Sequence, residues 1–140
     1  IVRLSRYYKN DDRLLWDINN VPHHSSYNSL GADKGKNETE PADRLKWLYE
    51  EQGQTGALLV STSWTIPSED TVQPPHRQAA NYYKRVAREM SGQFIATMAH
   101  PTEAKPKQLV IEIGRAGYTV RKVPSGAPAI VSGAAPRAGR

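Results

Sequence analysis

Arg13-Leu14-Leu15-Trp16-Asp17-Ile18-Asn19-Asn20-Val21-Pro22 is the stretch that decides how the fold is read. A short apolar run carries one acid, Asp17, and stops at Asn19-Asn20 before Val21-Pro22. Apolar runs this short, closed by turn-forming residues, predict a buried strand of a parallel α/β sheet. Ligand crevices in such sheets lie beyond the carboxyl ends of the strands, where Asp17 is expected. A carboxylate there is poorly solvated and calls for a partner: a metal ion, a cation or backbone donors. The structural alternative is that Asp17 caps a turn together with the two asparagines.

Working outward, residues 23–40 are polar, glycine-containing and aperiodic, which reads as an exposed loop. His23 and His24 are adjacent and cannot share one helix face as a metal pair would, so they are expected at the surface or facing RNA. Residues 41–52 predict a helix, with Pro41 in its first turn and Leu45, Leu48 and Tyr49 at helical spacing before Gly53. Residues 57–65 predict a strand, and residues 68–75 a proline-rich connection. The strongest helix covers residues 77–91. Ala79, Tyr83, Val86 and Met90 line its apolar face, Arg77, Lys84, Arg85 and Arg88 its outer side, and Gly92 is the expected stop. Residues 93–99 read as another buried strand, closed by His100-Pro101. Residues 105–123 admit two readings. Propensity favours a hairpin turning at Gly114-Arg-Ala-Gly117; the alternative is a helix starting at Pro106 and stopping at Gly117.

The chain of 140 residues is long enough for one domain with a real core. No apolar run approaches the roughly 18–20 residues needed to span a bilayer. Cysteine is absent, which excludes disulfides and thiolate metal sites. The net charge of +5 is unevenly spread: no acid follows Glu112, whereas Arg115, Arg121, Lys122, Arg137 and Arg140 do. A basic, acid-free end suits phosphate or an acidic partner. Arg3, Arg6 and Lys9 surround Tyr7-Tyr8, a composition suited to an arm that stacks bases and meets phosphates, or to packing on the domain itself. The first residue is Ile1 rather than Met, as expected for a processed chain or a fragment.

Trp16-Asp17-Ile18-Asn19-Asn20, with Val21-Pro22 behind it, resembles the opening strand of the NYN domains, which have a PIN-like ribonuclease fold. Tyr118-Thr-Val-Arg-Lys-Val-Pro-Ser-Gly126 resembles a third strand and its turn in the same family. The resemblance implies an α/β fold with a mostly parallel sheet of three or four strands flanked by helices. It implies an N-terminal arm at 1–12, one domain at 13–126 and a basic tail at 127–140. Residues 23–74 become an insertion with its own helix and strand, and residues 106–117 a second helix; that helix is the expectation carried forward. In the family the strand-end Asp helps to hold Mg²⁺ or Mn²⁺ for RNA hydrolysis. Asp17 would be the ligand and Asn20 would position it or the water.

The family's later acid-bearing elements have no counterpart here, since residues 127–140 contain no acid, and Glu112 matches no family ligand. Cleaving a phosphodiester with Mg²⁺ or Mn²⁺ requires converging carboxylates. Neither a phosphate-binding Gly-x-x-x-x-Gly-Lys loop nor a Gly-x-Ser-x-Gly elbow occurs. The expectation is a nuclease-derived domain that no longer cleaves and needs no cofactor. It would be RNA-associated within a large assembly such as a mitochondrial ribosome, located in the matrix or otherwise in the cytoplasm. Its RNA contacts would be Arg77, Lys84, Arg85, Arg88, Arg115, Arg121 and Lys122. The alternatives are an active ribonuclease completed by a partner, with Mg²⁺ or Mn²⁺, and a structural subunit of a respiratory assembly.

Overall fold

A computed structural model describes residues 1–121. The predicted first strand forms as β1 (Trp16–Val21), preceded by a helical arm, α1 (Val2–Tyr7). A helix of mixed pitch follows, α2 (Asp43–Lys46), which runs on as a π-helical turn over Trp47–Glu51. It leads into β2 (Gly53–Ser61), then α3 (Arg77–Glu89) and β3 (Gln93–Ala96). The strands form a parallel sheet in the order β1-β2-β3. The predicted α/β class therefore holds, with helices flanking a parallel sheet of three strands.

The segment 23–74, read as an insertion with its own helix and strand, supplies the central strand of the sheet, since β2 lies within it and pairs with both β1 and β3. One expectation drawn from the nuclease resemblance is corrected: the helix expected at 106–117 does not form. Instead β4 (Ile111–Gly114) and β5 (Gly117–Val120) make an antiparallel hairpin with Arg115-Ala116 at its turn. β-branched side chains and the glycines at the turn decide that contest; Gly117 sits at φ +117°, where a side chain would be strained.

The core lies between the sheet and its helices. Trp16, Tyr49, Leu59, Tyr82, Tyr83 and Val86 are buried together, and Trp16 Nε1 donates to the Leu48 carbonyl at 2.9 Å. Aromatic rings meet edge to face, Tyr49 with Tyr83 at 5.2 Å and Tyr82 with Tyr83 at 5.6 Å between centroids. Gly92 allows the end of α3 to lie on β2, since a Cβ there would come within 2.0 Å of the Ala57 carbonyl oxygen.

Candidate functional site at the carboxyl edge of the sheet

β1 does not end at Asp17. Asn19 and Asn20 pair in register with Leu59 and Val60, so the strand continues to Val21 and the ladder overrides the turn preference of asparagine. Asp17 therefore lies at the amino end of β1, opposite to where the sequence places it. It is exposed and borders a shallow concavity shared with Gly56, Gln93 and Tyr118 of the hairpin. Burial, and then the negative charge of Asp17, hold the Tyr118 phenol above its usual value. Asn20, also exposed, stands roughly 10 Å further along the strand, so the two residues do not converge. Among the described residues no three His, Asp or Glu side chains come together as a metal set.

The predicted RNA contacts separate into three kinds. Arg85 is engaged by carboxylates: Nε donates to Glu38 at 2.9 Å, one terminal nitrogen to Glu50 at 3.0 Å and the other to Glu89 at 3.0 and 3.1 Å. Partial burial opposes its charge, but the hydrogen bonds it donates to Glu38, Glu50 and Glu89 outweigh it and hold Arg85 above the usual arginine range. Arg77 pairs with Asp70 at 3.1 Å, and Arg121 with Glu112 at 3.5 Å across the hairpin. The Gln78 amide first and Arg77 second hold the Asp70 carboxyl below its ordinary value. Lys84 and Arg88 are exposed one turn apart on α3, beside a groove of about 630 Å³ that also takes in Phe94. Arg115 is exposed at the hairpin turn, and Lys122 lies outside the described residues.

The carboxyl edge itself is built from residues that the sequence did not single out, and from His24. Immediately after β1 and Pro22, three successive non-glycine residues are left-handed: His23 (φ 48°), His24 (φ 56°) and Ser25 (φ 63°). Such conformations are strained and persist only where surroundings fix them. Here the fixing groups are visible. Ser25 is fully buried, its carbonyl accepts the His76 N–H at 3.0 Å, and its hydroxyl lies 2.8 Å from that of Ser61. Ser61 gives its one proton to Ser63 at 2.9 Å, so Ser25 is the donor to Ser61.

His76, buried beneath this loop, accepts the Tyr27 N–H on Nδ1 at 3.3 Å and donates from Nε2 to the Val72 carbonyl at 3.3 Å. Both ring nitrogens are occupied, which makes it a structural histidine. His24 differs. Its Nδ1–H donates to the Thr62 carbonyl, and in the neutral ring this leaves Nε2 as an acceptor. The Met98 N–H closes the far side by donating to the Ser63 carbonyl at 3.1 Å. The result is a crevice of about 380 Å³ bordered by His24, Thr62, Trp64, Pro75, Thr97 and Met98. Local sequence offered one signal for it, the polar run Ser61-Thr-Ser-Trp64 directly after Leu58-Leu-Val60.

No family model matches the chain, and no curated protein or solved structure matches it either. The functional reading therefore comes from these residues.

Proposed function

We propose that this protein is a non-catalytic, RNA-associated structural component of a ribonucleoprotein, built on a nuclease-like α/β scaffold. The observation that carries the reading is the outer surface of α1. Tyr7 and Tyr8 are 77% and 66% exposed, stand edge to face at 5.0 Å, and are surrounded by exposed Arg3, Arg6 and Lys9. The Arg6 guanidinium sits 4.9 Å over the Trp47 ring, which ties the arm to α2. Rings that every base can stack on, beside cations for the phosphates, are the two ingredients of single-strand binding. Lys84 and Arg88 add a second cationic face. The non-catalytic part of the proposal rests on the dispersal of the acids: Asp17 lies at the amino end of β1, and among the described residues no two further Asp, Glu or His side chains join it as a metal set.

The test is binding of a labelled single-stranded RNA across a salt series. Five phosphate contacts, Arg3, Arg6 and Lys9 on the arm with Lys84 and Arg88 on α3, predict that the logarithm of the association constant falls against log salt with a slope of about −3.5. Tyr7→Ala/Tyr8→Ala should weaken binding roughly tenfold or more at unchanged slope, and Arg3→Gln/Lys9→Gln should flatten the slope. Salt-insensitive association with protein alone would favour a subunit of a non-RNA assembly. RNA cleavage in Mn²⁺ by the wild type, lost in Asp17→Asn, would overturn the non-catalytic reading.

A further inference from the structure

The geometry points to a second, more selective RNA contact: the carboxyl-edge crevice seats one unpaired nucleobase, stacked on Trp64 and read by His24. This rests on the RNA reading above and deepens it. Of the three tryptophans, Trp16 and Trp47 are buried, whereas Trp64 is 72% exposed at the crevice mouth. An indole left in water beside a concavity offers a stacking platform, and indole is amphipathic enough to serve both free and bound. Met98 is exposed at the same mouth and gives a polarizable contact for a ring edge.

The size of the crevice, about 380 Å³, is near the lower end for ligand pockets, which suits one base and not an extended molecule. Its polar chemistry is specific. His24 presents Nε2 as an acceptor because Nδ1–H is committed to Thr62, and that tautomer is fixed by a carbonyl that can only accept. An acceptor at this position pairs with an N–H on the base edge: the exocyclic amino group of adenine or cytosine, or the N3–H of uracil, which N3-methylation removes. Among the described residues no carboxylate borders the crevice, so flanking phosphates meet no like charge from them. The left-handed run His23–Ser25, held by the buried Ser25-Ser61-Ser63 chain, is what keeps His24 over Thr62. Backbone strain fixed in this way is found at ligand clamps.

The experiment titrates the full chain with adenosine, cytidine, uridine and N3-methyluridine monophosphates and with ribose 5-phosphate, following tryptophan emission. A labelled single-stranded RNA is measured in parallel. Adenosine, cytidine and uridine monophosphates should quench the exposed Trp64, about fivefold more tightly than N3-methyluridine monophosphate, a ratio of one net hydrogen bond. Ribose 5-phosphate should leave emission unchanged. His24→Gly keeps the left-handed backbone without a side-chain acceptor and should abolish that ratio. Trp64→Ala should weaken the RNA about tenfold, with Trp64→Phe recovering part of the loss.

If no mononucleotide alters emission and Trp64→Ala leaves RNA affinity unchanged while the wild type binds RNA, the crevice assignment is overturned and the RNA reading stands. If nucleotides quench but no RNA is retained at low salt, the base seat is supported as a free-nucleotide site and the RNA reading fails. Equal quenching by ribose 5-phosphate would identify a phosphate site and overturn the role given to Trp64.

Discussion

Arg85 and Arg88 lie three residues apart on the same helix and are indistinguishable by charge, yet they do different work. Arg85 bridges the loop residue Glu38, Glu50 after α2 and its own neighbour Glu89, and packs its guanidinium 5.2 Å from the Tyr82 ring. Arg88 is exposed and, among the described residues, donates within α3 to the Lys84 carbonyl at 3.3 Å. A planar fork with several donors can join carboxylates from different segments, and removing it strands those charges together. Arg85→Met is expected to cost about 1–2 kcal/mol in urea denaturation, a figure held low because the side chain is about one-third exposed. Arg88→Met should stay within about 0.5 kcal/mol, and for RNA affinity the order should be reversed. The same residue type thus divides between a structural clamp and an available cation according to what the fold brings near it.

At the scale of elements, the end of α3 shows why glycine in a sequence is an ambiguous stop. Gly92 is expected to supply the left-handed residue that closes the helix, but Ser91 does so, at φ 56°. Gly92 follows it, and its N–H donates back to the Ala87 carbonyl at 2.8 Å. The requirement at Gly92 is space against β2, not conformation. The two positions therefore predict opposite outcomes. Ser91→Gly relieves the left-handed strain and should stabilise by roughly 0.5–1 kcal/mol. Gly92→Ala pushes a methyl group into the Ala57 carbonyl and should cost roughly 1–3 kcal/mol, measured by thermal unfolding. The hairpin β4–β5 teaches the same lesson from the other side. Residues 108–123 carry β-branched alternation and a glycine-bounded turn, and that local chemistry wins over a helix inferred by resemblance.

For the whole molecule, the core is stabilised by burying tyrosine where a hydrocarbon would serve. The Tyr82 and Tyr83 hydroxyls sit beside Glu50 and Tyr49 without well-formed hydrogen bonds. Burial first, and then the neighbouring Glu50 for Tyr82 and Tyr49 for Tyr83, push both phenols far above their usual range, and burial raises Tyr49 as well. Because the folded pKa values are raised, the unfolded chain ionises first. Stability is therefore fully present below about pH 10 and falls as pH rises beyond it, by up to about 1.4 kcal/mol per pH unit for each buried phenol. Alkaline titration should show these phenolates appearing together with loss of the helical circular dichroism. Tyr82→Phe/Tyr83→Phe should move that transition to higher pH.

The sequence by itself determined what is local. Periodicity and turn chemistry placed β1, the helix around residues 43–51, β2, α3 and β3, and favoured a hairpin near residue 114, because each depends on residues within a turn or two of one another. Only the tertiary structure decided that β2 is central, since nothing in a strand's own residues states how many partners it will have. The position of Asp17 at the amino end of β1 follows from pairing with β2, and the tying-up of the Arg85 guanidinium follows from carboxylates on distant segments. The carboxyl-edge crevice is likewise assembled from afar: Ser25 and Ser61 are 36 residues apart, and their hydroxyls meet only because two parallel strands end side by side. Hydrogen bonds and ion pairs between such segments form after the chain has paid its loop-closure entropy, so no local pattern encodes them.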